Sequence, residues 1–165
     1  MVQKTKFPAH VHVLSVVSSE GHMMRPHFFA KDETVTADVY LRVLSTVIKP
    51  WMDKVSEGDP YVYQQDGAPA HTSRKVQSWL ASNVPDFWAK DIWSPNSPDL
   101  NPLDFYVWGV LEALTNKQRQ PYTESLRLAI QLVCRRLSKA SIKKACQSFR
   151  SRLEAVVAND GGYIE

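Results

Sequence analysis

The chain has 165 residues, which is enough for one domain with a proper hydrophobic core. Its hydrophobic content of 44% and charged content of 22% are typical of a soluble globular protein, and its net charge of +3 permits a polyanionic partner without requiring one. No apolar run approaches the roughly 18 residues that a membrane-spanning helix needs, so we expect no membrane partner.

The first third of the chain is predicted to form a β-hairpin followed by a long helix. Residues 10–18 alternate and are rich in β-branched side chains, which predicts a strand, and residues 22–30 are predicted to pair with it. Pro26 favours a sheet edge for the second strand, because proline cannot donate to the ladder. Apolar residues then recur at helical spacing over residues 36–55, where Pro50 is expected to kink or restart the helix.

Two short strands and one helix are predicted for the middle of the chain. Residues 61–65 are expected to form a short strand that ends at Asp66. After a turn, residues 72–82 have the apolar spacing of a helix. Residues 87–93 predict a further extended segment, and residues 94–102 contain three prolines and predict a loop.

The last third is predicted to contain three helices. The first begins with Asn101 as its cap and Pro102 at the first helical position. Apolar spacing predicts two more helices, one over residues 126–137 and one that continues over residues 142–156 until the helix stop at residues 159–162. The resulting order β-β-α-β-α-β-α-α-α indicates an α/β fold with a mixed sheet flanked by helices.

Two aspartates in long, distinctive contexts are the candidate functional residues. Asp66 follows the third predicted strand within residues 63–71 (YQQDGAPAH), and Asp104 opens a helix after 37 intervening residues. Acids at a strand end and at a helix start can converge on one point, where they hold a divalent cation against a phosphate. The pattern therefore predicts phosphodiester chemistry on nucleic acid, although no third acid in a comparable setting precedes Asp66.

Both acids also have a structural interpretation. Asp-Gly is a common turn pair, so Asp66 alone would be taken as a turn residue, whereas its nine-residue context favours metal ligation. Asp104 is the third residue after the cap Asn101, where an acid meets free N–H groups and the helix dipole. A capped acid can also be a rigid ligand, so the two interpretations of Asp104 are compatible.

Four further residues are candidates for contacts with DNA. His71 can touch a DNA phosphate, order the site or pack at the start of a helix. Arg74 and Lys75 follow it and are candidates for contacts with the DNA backbone. Trp93, at the entry to the proline loop, can stack on a base, stiffen the loop or pack in the core. The basic residues of the last helices either solvate a helix face or neutralise phosphates.

The element order and these motifs resemble the catalytic domain of mariner-like transposases, which has a ribonuclease H-like fold. The matching stretches are residues 16–21, 26–29, 64–71, 93–104 and 161–163. The resemblance implies that Asp66 and Asp104 are the second and third acids of a three-aspartate site for two Mg²⁺ or Mn²⁺ ions. It also implies that the intact enzyme acts in the nucleus, where it cleaves DNA at transposon ends and joins it to target DNA.

The same resemblance predicts what residues 1–165 lack. The first acid of the family lies on the first strand of the fold, before the hairpin. We therefore expect a single partial catalytic domain without the first central strand, the first aspartate and the helix-turn-helix DNA-binding region. Such a partial domain is expected not to cut DNA alone. Two alternatives stay open: a non-catalytic, transposon-derived module that binds DNA or self-associates, for instance as a homodimer, and a decayed reading frame without a selected function.

Overall fold

A computed structural model of the chain describes residues 10–93, 97–117 and 120–164. The chain divides into two compact units. Unit 1 consists of Met1–Asp32 and Pro102–Glu165, and unit 2 consists of Glu33–Asn101. That residues 1–165 act as a single domain stays a prediction. In the described ranges, no helix has the length and apolar character needed to cross a lipid bilayer.

Short strands alternate with helices along the chain. The strands are β1 (Val13–Leu14), β2 (His27–Phe28), β3 (Val62–Tyr63) and β4 (Asp86–Phe87). The helices are α1 (Ala37–Val43), α2 (Lys49–Ser56), α3 (Pro69–Thr72), α4 (Arg74–Asn83), α5 (Trp108–Thr115), α6 (Thr123–Arg136), α7 (Lys139–Gln147) and α8 (Phe149–Ala158). Irregular turns add a π-helical turn at Leu44–Ile48, a 3₁₀ turn at Pro98–Leu100 and a second π-helical turn at Leu103–Val107.

The predicted hairpin is confirmed in unit 1. Strands β1 and β2 pair antiparallel, with Val13 opposite Phe28 and Leu14 opposite His27. A further bridge joins Val17 to Met23 towards the turn. The hairpin is covered by the helices of the same unit, because Val17, Met23 and Phe28 pack against their apolar core. That core consists of Val107, Leu111, Ile130, Val133 and Cys134.

The expectation of one continuous helix over residues 142–156 is wrong. Helix α7 ends at Gln147 and α8 begins at Phe149. Ser148 lies between them, and its hydroxyl donates to the carbonyl of Ala145 at 2.7 Å. A serine that bonds the preceding turn competes with helix continuation. Helix α7 buries Ile142 and Ala145, whereas α8 has no buried residue.

Unit 2 is built around a long helical segment. Helices α1 and α2 are joined through the π-helical turn, and the N–H of Lys49 reaches back to the carbonyl of Leu44. Pro50 lies in the first turn of α2, as the predicted restart requires, because a proline has no N–H to donate. The segment ends at Glu57 and Gly58, which have positive φ angles of 51° and 94°.

Strands β3 and β4 of unit 2 pair in parallel, with Val62 opposite Asp86 and Tyr63 opposite Phe87. The strands of the described residues thus form two separate two-stranded sheets, one antiparallel and one parallel. Both strand directions of the predicted mixed α/β architecture are present. Two-stranded sheets are marginal by themselves, so the helices must supply most of the stability of each unit.

We predict that Gly21→Ala destabilises unit 1 more than Gly58→Ala destabilises unit 2. Both glycines have φ near +90°, so both substitutions carry the same left-handed strain of about 1–2 kcal/mol. A Cβ at Gly21 would also overlap the carbonyl of Lys139, whereas nothing lies within 4 Å of a Cβ at Gly58. Urea unfolding of both variants should show an extra loss of about 2 kcal/mol for Gly21→Ala. Equal losses would contradict the packing of the hairpin turn on α7.

Candidate functional site

The Asp66 carboxylate is fixed by two local donors. Asp66 follows β3, and the main-chain N–H of Ala68 donates to its Oδ1 at 3.0 Å. The Nδ1 of His71 lies 2.6 Å from the same oxygen. No described residue hydrogen-bonds to Oδ2, the other carboxylate oxygen. The Asp66 side chain is 47% exposed. The turn therefore orients the carboxylate and leaves one oxygen available to an external ligand.

Asp66 is ionised at neutral pH. The hydrogen bond from His71 is the main reason why its pKa lies below the ordinary value, while partial burial acts in the opposite direction. Because the folded-state pKa is depressed, the ionised form contributes stability that is fully present above the unfolded-state pKa of about 4. That contribution is lost as the pH falls through the folded-state value. A charged carboxylate is the form that binds a metal ion.

A buried network holds His71 in place. The rings of Tyr40 and His71 have centroids 4.1 Å apart. The Tyr40 hydroxyl donates to Oε1 of Gln65 at 2.7 Å and lies 3.0 Å from the Tyr63 hydroxyl, which must donate in that second bond. The side-chain amides of Gln65 and Gln77 each donate to the main-chain carbonyl of His71 at 3.0 Å. Both the ring and the main chain of His71 are thus constrained.

Burial keeps the two tyrosine hydroxyls protonated. It raises the pKa of Tyr63 to about 12 and that of Tyr40 well above its ordinary value. Only 1% of Tyr40 and 6% of Tyr63 is exposed, so the hydroxyls have little access to water. They therefore act as permanent donors, and the network keeps one arrangement across the neutral pH range.

Asp104 belongs to unit 1 and Asp66 to unit 2. Asp104 is exposed and lies in the first turn of the π-helical segment Leu103–Val107. Pro102 precedes that segment, and Asn101 has an extended backbone, as expected at a helix start. That Asp66 and Asp104 converge on one ion stays a prediction.

The remaining DNA candidates all lie in unit 2. Arg74 is exposed at the start of α4. Lys75 forms an ion pair with Asp38, and both side chains are more than half exposed, so the pair is weak and a phosphate can replace it. Trp93 is only 9% exposed, and its ring centroid is 6.4 Å from that of Trp88. This is the core packing considered above, and base stacking by Trp93 stays a prediction.

The donor chemistry at Asp66 fits a hard divalent cation as one ligand. Mg²⁺ and Mn²⁺ prefer carboxylate oxygens, and Asp66 offers an ionised carboxylate with one oxygen uncommitted. Within the described ranges, however, no group of three or more His, Cys, Asp or Glu side chains is placed to hold a metal ion. Asp66 is therefore a candidate ligand that needs others to complete a coordination sphere.

The sequence made Asp66 and His71 candidates but gave little sign of the residues that support them. Tyr40 was predicted only as part of a helix, and its partner Gln65 lies 25 residues further along the chain. Gln77 is a polar residue on a helix with no distinctive neighbours. Only Gln65 carried a signal, because it directly precedes Asp66 within the nine-residue motif.

No protein-family model matches the chain. The transposase of transposable element Tc1 from Caenorhabditis elegans is 28% identical over 123 residues, which cover 74% of this chain and 43% of that relative. The crystal structure of the catalytic domain of Mos1 mariner transposase matches with a TM-score of 0.79 and 22% identity, covering 96% of this chain and 78% of that one. A Mos1 paired-end complex with the left transposon end matches with a TM-score of 0.84 and 21% identity, covering 100% of this chain and 48% of that one.

These similarities confirm the predicted resemblance to mariner-like transposase catalytic domains, and the chain has their ribonuclease H-like α/β fold. Solved structures of Mos1 include complexes with Mg and with Mn. Two curated transposases match most of this chain, but the matched region covers only 43% and 45% of their own lengths. The chain therefore spans less than half the length of these relatives.

We predict that Tyr40→Phe raises the pKa of Asp66 towards its ordinary value. The substitution keeps the ring but leaves the buried groups of Gln65 and Tyr63 without their partner, which costs about 1–3 kcal/mol of unfolding free energy. His71 is then held less firmly against the carboxylate. Carbon-13 NMR titration of the Asp66 carboxyl measures the change.

Tyr61→Phe is the matched control. The Tyr61 hydroxyl donates to Asp53 at 3.0 Å on the exposed surface of the same unit, outside the His71 network. Tyr61→Phe should therefore leave the pKa of Asp66 unchanged. An equal shift in both variants, or none in Tyr40→Phe, would show that the network does not position His71.

Proposed function

We propose that the chain is a fragment of a DNA transposase catalytic domain, and that the intact protein uses it for metal-dependent DNA strand cleavage and strand transfer. The observation that carries this proposal is the Asp66 carboxylate, which two donors orient through one oxygen while the other stays available. The transposase relatives and the fold shared with the Mos1 catalytic domain support it.

The proposed chemistry assigns separate tasks to the residues. Asp66 and Asp104 hold Mg²⁺ or Mn²⁺, which when bound stabilises negative charge on the oxygens of a scissile phosphodiester. His71 keeps the Asp66 carboxylate in one orientation through the 2.6 Å contact. Arg74 and Lys75 are exposed beside this turn and neutralise backbone phosphates of the incoming DNA.

We infer that residues 1–165 by themselves do not cut or join DNA. A two-metal mechanism needs enough ligands to hold both ions and offset their charge. The described residues bring no three metal-binding side chains together, so Asp66 and Asp104 would need at least one further acid.

The partners follow from the same proposal. DNA is the first, and it is supported by the solved Mos1 complex with a transposon end. Target DNA, a homodimeric assembly and action in the nucleus complete the proposal. The two cysteines are free thiols whose pKa is raised by burial, which suits a reducing compartment such as the nucleus.

A non-catalytic module is the second candidate function. Leu128 and Leu132 lie four residues apart on α6 and are 55% and 52% exposed. Two neighbouring exposed leucines on one helix face favour contact with another surface. Sedimentation of the chain discriminates this candidate, since a monomer at high concentration would remove self-association.

We predict that Mn²⁺ broadens the NMR signals of Ala68 and His71, and that Asp66→Asn weakens this effect by at least about tenfold in Mn²⁺ concentration. Asp53→Asn is the control, because Asp53 is another acid of unit 2 whose pKa is lowered, in its case by Lys49. Equal broadening in wild type and Asp66→Asn would refute ligation by Asp66.

The same samples test the inferred inactivity. Transposon-end duplex DNA incubated with the chain and Mg²⁺ or Mn²⁺ should stay intact. Cleavage that disappears in both Asp66→Asn and Asp104→Asn would show that the chain carries a complete active site.

A further inference from the structure

A cleft of about 410 Å³ opens in unit 1 immediately after Asp104 along the chain. It lies between the π-helical turn that carries Asp104 and helix α7. Its lining residues are Phe105, Tyr106, Ser141, Lys144, Ala145 and Ser148. None of them is acidic, so the cleft combines two aromatic rings, three hydroxyl groups and one ammonium group.

One wall of the cleft is aromatic and carries positive charge. The guanidinium carbon of Arg152 lies 4.2 Å from the centroid of the Phe105 ring, a cation–π contact. Tyr106 packs against the apolar core of the unit, which fixes this wall to the scaffold. Both rings are only partly buried, so they offer surface to a ligand in the cleft.

The other wall contributes an ammonium group that is not neutralised within the described part of the chain. Lys143 pairs with Glu20 at 2.7 Å and Arg150 pairs with Glu154 at 3.1 Å. Lys144 is exposed, lines the cleft and makes no ion pair with any other described residue. Helices α7 and α8 together carry five basic residues and one acid, so the potential around the cleft favours an anion.

We propose that this cleft binds a nucleotide of a single DNA strand, with the phosphate at Lys144 and the base against Phe105 and Tyr106. Aromatic faces beside a positively charged groove are the chemistry by which proteins hold single strands, because every base has a face that can stack. In a duplex the base faces are already stacked and cannot reach the rings. The volume of about 410 Å³ suits one nucleotide.

The identity of the strand as DNA rests on the proposed function. The cleft adjoins Asp104 in sequence, so a strand held there would be one that has left the duplex beside the cleavage site. The binding itself requires no metal ion, which makes it separable from the proposed chemistry at Asp66 and Asp104.

Fluorescence anisotropy with labelled oligo-dT, in EDTA and at several NaCl concentrations, tests the phosphate contact. Lys144→Ala should weaken binding and reduce the salt dependence by about 0.7 in the slope of log K against log salt, as for one lost phosphate contact. Lys143→Ala removes the same charge from the preceding residue of α7 and should change both values little. Equal effects of the two substitutions, or no binding by the wild type, would overturn the proposal.

Phe105→Leu tests the stacking contact. It keeps an apolar side chain but removes the ring, so binding to oligo-dT should fall by about fivefold or more, while binding to a duplex of equal length stays nearly constant. A loss that is equal for both DNA forms would overturn the assignment of a single strand. Circular dichroism confirms that each variant is folded. If oligo-dT does not bind while Mn²⁺ still binds at Asp66, this site is refuted and the proposed function stays intact. If oligo-dT binds while Mn²⁺ does not bind at Asp66, the proposed function alone is refuted.

Discussion

The candidate site depends on one shared acceptor: His71 and the N–H of Ala68 both bind Oδ1 of Asp66. Because both donors use the same oxygen, the carboxylate is oriented while Oδ2 keeps its lone pairs for a ligand. Hydrogen bonds to a charged carboxylate are stronger than neutral ones, so this short turn can hold the group rigidly although it is half exposed. A ligand fixed before the ion arrives loses little conformational entropy on binding.

Rigidity at Asp66 comes from the core of unit 2. Tyr40 belongs to α1 and Tyr63 to β3, so the hydroxyl network ties the helical segment to the strand that ends beside the acid. His71 is held against this network by ring packing and by two glutamine amides. Stability and site geometry are therefore coupled in this unit, because a change in the core reaches the carboxylate through the packing of Tyr40 on His71 and the hydrogen bond from His71 to Asp66.

Local sequence signals predicted the parts of this protein that local physics decides. The hairpin and the restart of the helix at Pro50 both came from residues adjacent in the chain. The expected long last helix failed because one hydroxyl, at Ser148, was enough to divide it. Tyr40 was missed as a support since its contacts depend on tertiary packing. Convergence of Asp66 with Asp104 on one ion stays a prediction, because the two acids belong to different units.

We propose that Asp66 and Asp104 share a divalent cation in the intact protein. Anomalous scattering from crystals of an intact transposase that contains this chain, grown with Mn²⁺ and transposon-end DNA, tests it most directly. We expect an anomalous peak at about 2.0–2.2 Å from Oδ2 of Asp66 and from a carboxylate oxygen of Asp104. Manganese bound elsewhere, with the two carboxylates apart, would contradict it.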